Sequence, residues 1–174
     1  WLPVIPDWMP RHEEWWTHIN KGVALGKLDR VEEAEGEFER ATVVRPDKLE
    51  GWRQLALTRE RLRVLSTPPG EDPRSYYAAT IKNEPDATPA QVYGQGLALM
   101  MAGEAKKAVP IFERLRNADP TMLQYHTALG QAQLLAGDGQ GSLQTLKRAR
   151  ELFERNVAVT VRYAEALMQK GDPK

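Results

Sequence analysis

The stretch that decides the fold runs from His18 to Pro46 and reads HINKGVALGKLDRVEEAEGEFERATVVRP. Gly22 and Ala24 mark one helical segment, Ala34, Phe38 and Ala41 mark the next, and Pro46 closes the second. Small residues let two helices approach closely, and a single large ring fills the space between them. Proline stops the second helix because it has no N–H to donate and its ring clashes with the preceding turn. The spacing predicts helices over 11–27 and 30–43, with Asp29 expected to cap the turn between them.

Outward from this stretch the same residues recur. Gly22, Ala34, Phe38 and Pro46 reappear as Gly96, Ala108, Phe112 and Pro120, each displaced by 74 residues. Gly96 and Ala98 return 34 residues later as Gly130 and Ala132, and Gly103 returns at the same step as Gly137 and Gly171. Between the first two copies lies a predicted helix from 47 or 48 to 64, carrying Trp52, Leu55, Ala56 and Leu62. A turn-rich insertion follows, STPPGEDP at 66–73, and it accounts for most of the excess of the larger displacement over two smaller steps. A short helix is expected over 73–82 with Tyr77 in its large position, and a new unit from near Pro89. In the fourth unit Ser142 and Leu146 stand where Ala and an aromatic stand elsewhere, and the fifth has only a first helix, 157–170.

This periodicity resembles the tetratricopeptide repeat, a helix–turn–helix unit of about 34 residues. The likeness covers about residues 15–172. It implies an all-α protein, an α-solenoid of antiparallel helix pairs with about four and a half units over 15–174, interrupted at 66–73. An extended Pro/Trp-rich arm is expected over 1–14, where Pro3, Pro6 and Pro10 disfavour a regular helix. That arm either caps the first repeat or inserts into a partner. The last helix, with Val157, Val161, Tyr163, Ala164 and Leu167, is more apolar than the polar end a repeat array needs. Either the array continues in a longer parent or this end meets a partner.

Composition narrows the function. The chain has 174 residues, 24 basic and 24 acidic side chains, and no cysteine. Balanced charge gives no electrostatic footprint for nucleic acid or an anionic membrane. Without cysteine the chain forms no disulfide, no thiolate metal site and no covalent c-type haem link. No apolar run approaches the roughly 18 residues of a membrane span, so membrane insertion is not expected. The sequence opens at Trp1 without a signal-peptide pattern, as expected of a fragment or a processed product.

Catalytic chemistry finds no foothold. His12-Glu13-Glu14-Trp15-Trp16 nearly matches the zinc-protease pattern, but Trp16 stands where the second histidine ligand must be. His18 and His126 occupy the large first-helix position of their repeats, where packing is the expected role. No nucleophile elbow, phosphate-cradling loop or dinucleotide fingerprint is present, and the glycine-rich Asp138–Gly141 reads as a turn. Glu13-Glu14 and Glu32-Glu33 read as solvated helix faces. No cofactor and no enzyme activity are expected.

The repeat resemblance implies that the first helix of each pair lines a concave groove. In this register Trp16, Ile19, Val23 and Lys27 come from the first unit, and Arg53, Leu57 and Arg61 from the second. Tyr93, Leu97 and Met100 come from the third, Thr127, Gln131 and Leu134 from the fourth, and Val161 and Glu165 from the last helix. Repeats that clamp chaperone C-termini need asparagines where Val23, Leu57, Leu97 and Gln131 stand, so this chain departs from that clamp. The expected groove is apolar with two arginines, suited to an amphipathic helix or extended apolar segment of another protein, and Met100-Met101 could repack around it. The competing occupant is the chain's own arm or the 66–73 loop. Four of the five tryptophans, Trp1, Trp8, Trp15 and Trp16, crowd the N-terminus, and Trp1 and Trp8 are expected partner contacts of the arm.

Two finer likenesses are visible. The proline-rich arm followed by EEWWTHINKGVALGKLDRVEEAEGEFERATVVRPDKLEGW resembles repeat segments of some multihaem c-type cytochromes, which follow the haem domain and mediate protein contacts. The later VYGQGLALMMAGEAKKAVPIFERLRNADP is similar to repeats of periplasmic assembly and quality-control proteins. The resemblance implies an extracytoplasmic interaction scaffold, with any haem on a partner subunit or an upstream domain. The alternative is an assembly or chaperone-type adaptor for extended clients.

Overall fold

Apart from the start of the first, the helices predicted over described residues begin and end within about two residues of their expected bounds. The computed structural model describes residues 8–66 and 86–171, and every regular element among them is helical. They are α1 (Trp8–Lys27), α2 (Val31–Val44), α3 (Leu49–Ser66), α4 (Pro89–Met101), α5 (Ala105–Ala118), α6 (Leu123–Leu135), α7 (Gly139–Leu152) and α8 (Val157–Gly171). The expected helix over 73–82, the insertion beyond Ser66 and Trp1 lie outside the described residues.

The boundary expected at residue 14 moves. The first helix starts at Trp8, three residues before the expected Arg11, so Trp8, Met9 and Pro10 of the expected arm are helical as well. Pro10 is the third residue of that helix, where a missing N–H costs nothing because the first turn has no intrahelical acceptor for it.

The chain divides into two compact units, one of residues 1–76 and 82–94, the other of 77–81 and 95–174, with the division inside α4. In the first, α1 packs on α2 and α2 on α3 around Trp15, Ile19, Leu25, Ala34, Phe38, Ala41 and Leu55. The closeness of α1 and α2 rests on Gly22, since an ideal Cβ built there would stand 2.6 Å from the Phe38 ring. Ala24, the other small residue of that segment, is exposed. In the second unit the arrangement repeats. A Cβ on Gly96 would stand 2.5 Å from Phe112, and one on Gly130 2.6 Å from Leu146, so Leu146 fills the place of the aromatic ring. Arg150 lies over the Tyr163 ring at 4.5 Å, fastening α7 to α8.

The turn between paired helices needs a left-handed residue. Gly103 and Gly137 provide it at φ 77° and 89°, and Asp29, at the same repeat position, does so at φ 62°. Asp29 therefore does not cap α2: the cap position falls to Arg30, which makes no side-chain cap bond. In the fourth unit Asp138 holds that position, its carboxylate accepting from the Gly141 N–H at 2.8 Å. On α8, Val159 and Ala166 face the core, while Val157, Val161, Leu167 and Met168 are exposed.

Two substitutions test this packing. Phe112→Ala empties a fully buried ring site and is expected to cost about 3–5 kcal/mol in urea unfolding. Ser142 is fully buried and its hydroxyl has no hydrogen-bond partner among the described residues, so Ser142→Ala is expected to raise stability by about 1 kcal/mol in the same experiment.

Candidate interaction surface

Of the residues expected to line a groove in the first unit, the structure exposes some and buries others. Trp16 is 47% exposed and its ring stacks on Trp15, centroids 5.0 Å apart and planes 4° from parallel. Trp15 itself is buried in the core, so the outer ring rests on a fixed one. Leu57 is 48% exposed on α3, and Arg53 is exposed and paired along its own helix with Glu50 at 3.1 Å. Ile19, expected beside them, is instead buried against Leu25 and Phe38, and Val23 is half-buried on the same cluster. Trp15, Ile19 and Leu25 share the stripe that meets α2, and Ile19 has no polar atom to draw it outward.

Arg61 already has partners within this unit. Its guanidinium donates to the Gly26 carbonyl at 3.1 Å and to the Asp29 carboxylate, so it clasps the α1–α2 turn to α3. Tyr93 is buried. The carbonyl of Pro46 accepts the Trp52 ring N–H at 3.0 Å and the Thr88 hydroxyl at 2.9 Å, fastening α3 and the start of α4 to the end of α2.

A buried carboxylate links the first helix pair. Glu37 is 3% exposed, yet its oxygens meet three cation-forming side chains: His18 Nδ1 at 2.6 Å, Lys21 Nζ at 2.7 Å and Arg40 Nη1 at 2.7 Å. Burial works to raise its pKa, but the hydrogen bonds from Lys21 and His18 and the charges of Lys21 and Arg40 outweigh it and hold the carboxyl below the usual range. His18 thus occupies its large first-helix position as a hydrogen-bond partner of Glu37.

In the second unit Leu97 is buried, while Met100, Thr127, Gln131 and Leu134 are half-buried along their helices. Val161 is exposed, and Glu165 is exposed and paired with Arg162 at 3.0 Å. His126 is buried: its Nε2 donates to the Pro120 carbonyl at 2.9 Å, and its ring meets Phe153 edge-on at 5.7 Å. This repeats the Trp52–Pro46 bond 74 residues on, a ring N–H closing onto the proline that ended the previous pair. Among the described residues no three His, Cys, Asp or Glu side chains stand together as metal ligands, and no helix is long and apolar enough to cross a membrane.

Helix pairs closed by a glycine against a large apolar side chain, turned by left-handed residues and repeated at this period make an all-helical fold like that of tetratricopeptide-repeat structures. Solved structures agree on the fold. The chain is similar to a thermophilic TPR protein of Thermus thermophilus, at 22% identity and TM-score 0.58, covering 90% of this chain and 83% of that one. It is also similar to PilF of Pseudomonas aeruginosa, at 15% identity and TM-score 0.52, covering 92% of this chain and 71% of that one. No protein-family model and no curated protein matches the chain.

The Glu37 cluster makes pH dependence measurable. A carboxyl held below its unfolded pKa adds stability that is present above the ordinary carboxylate range and lost as pH falls through the folded value. Glu37→Gln is expected to cost about 1–3 kcal/mol in urea unfolding at pH 7. The gap to the parent protein should narrow below about pH 4, as the parent loses its own ionised carboxylate.

Proposed function

We propose that this chain is a non-catalytic scaffold that binds another protein through the face of its first unit marked by Trp16, Leu57 and Arg53. The observation that carries this reading is Trp16, half exposed on a buried and stacked Trp15. A large ring held in place before binding loses little freedom when a partner covers it, and tryptophan is enriched among residues that dominate interface energetics. The partner that fits presents an apolar helical or extended segment to Trp16 and Leu57, with a carboxylate within reach of Arg53. Trp1 and Trp8 take the same role in this reading on the strength of the sequence.

The N-terminal likeness to repeats of multihaem cytochromes supports a particular assembly, a structural subunit or domain beside a haem-bearing partner or upstream domain. The absence of cysteine supports keeping that haem off this chain. The likeness of the later repeats to periplasmic assembly proteins supports a second reading, an extracytoplasmic adaptor for extended clients.

Isolation under native conditions, with intact mass and visible spectrum, separates these readings. A complex larger than the 19.7 kDa chain with a haem Soret band is the expected result, and a colourless complex selects the adaptor. With the partner in hand, Trp16→Ala combined with Leu57→Ala is expected to weaken binding by roughly 30-fold or more, the effect of a hot spot worth about 2 kcal/mol. Unchanged affinity would move the contact off this face.

A further inference from the structure

In the second unit, α5, α6 and α7 border an open cleft of about 510 Å³, lined by polar and charged residues, that shares no residue with the expected groove. Its lining includes Arg116 of α5, Gln133 of α6, and Thr145, Lys147, Arg148 and Glu151 of α7. Gln133 lies two residues beyond Gln131 and therefore about 200° round α6 from it. Gln133 is 8% exposed and Thr145 7%, and the Thr145 hydroxyl donates to Gln133 Oε1 at 2.7 Å. That bond sets the orientation of the amide. Its two N–H donors have no partner among the described residues and are left to the cleft.

Three of these lining residues are cations against one carboxylate. Arg148 pairs with Glu151 at 3.3 Å, Arg116 donates only to the neutral Asn117 amide oxygen at 2.9 Å, and Lys147 has no ion-pair partner among the described residues. A buried donor amide under two uncompensated positive charges favours an anion, because guanidinium groups fork onto carboxylates and charge-assisted bonds are the strong ones. The cations come from two helices, and adjacent Lys147 and Arg148 diverge by about 100° round α7. They offer successive contacts along the cleft rather than one converging cradle. That placement suits carboxylates spaced along a chain better than a single tetrahedral ion.

We infer that this cleft is a second binding site, one that takes an acidic, Glu/Asp-bearing segment of a partner protein. Arg116 and Arg148 engage its carboxylates, Lys147 adds charge, and the Gln133 amide selects an acceptor at the floor. This inference stands independently of the first-unit face.

The test is fluorescence anisotropy of a fluorescein-labelled hexaglutamate peptide titrated with the full chain at low salt. Saturable binding that weakens as salt is added is expected. Lys147→Glu with Arg148→Glu, both exposed positions, should weaken it at least 10-fold with an unchanged circular-dichroism melt. Lys106→Glu with Lys107→Glu changes net charge equally away from the cleft and should leave binding unaltered. Absence of peptide binding, or an equal loss in both double variants, would overturn the site. Saturable binding of inorganic phosphate without the peptide would overturn the acidic-segment assignment in favour of a phosphate group.

Discussion

The structure depends on one contact, a residue without a side chain on a first helix pressed against a large apolar side chain on the second. Gly22 meets Phe38, Gly96 meets Phe112 and Gly130 meets Leu146, each so close that a methyl group would collide. Where the backbone of one helix touches the side chain of the next, the pair packs without a void, and every dispersion contact is kept. Because each such contact lies within one helix pair, stability accumulates pair by pair, as in repeat proteins generally.

Polar devices then fix each pair. The left-handed residue at the turn, Asp29, Gly103 or Gly137, reverses the chain, and Arg61 reaches back from α3 to hold the first of these turns. Trp52 and His126 close onto the carbonyls of Pro46 and Pro120, giving those partly buried ring N–H groups an acceptor. The buried Glu37 draws His18 and Lys21 of α1 and Arg40 of its own helix onto one carboxylate. A core built this way leaves the remaining helix surfaces free to differ, which is where function is grafted onto a shared fold.

Two such surfaces differ in kind. Trp16 and Leu57 offer an apolar and aromatic contact with Arg53 among the first helices of one unit. In the other unit the cleft of α5, α6 and α7 is polar and cationic. We propose the first for burial of an apolar segment and the second for neutralisation of an acidic one. Net charge near zero for the whole chain conceals this, because it averages over surfaces that carry different chemistry.

The sequence by itself determined the helices, their pairing and their period, because Gly22, Phe38, Pro46 and their successors act through neighbours on the same helix pair. It also offered Trp16 and Leu57 as candidates for a groove, and both are exposed. It could not separate Ile19, Tyr93 and Leu97, which are buried, from residues left exposed at similar positions, since burial depends on which neighbouring helices cover each position. Asp29 reads as a helix cap until the turn places it at positive φ, and Arg61 reads as a groove cation until α3 sets it beside that turn. The Glu37 cluster had a faint signal in His18 and Lys21 spaced three apart and Arg40 three beyond Glu37, but the spacing alone does not say that these side chains of the two paired helices converge on one carboxylate. The cleft had none. Arg116, Gln133 and Lys147 are far apart in the chain, and only the stacking of three helices brings an amide and three cations around one space.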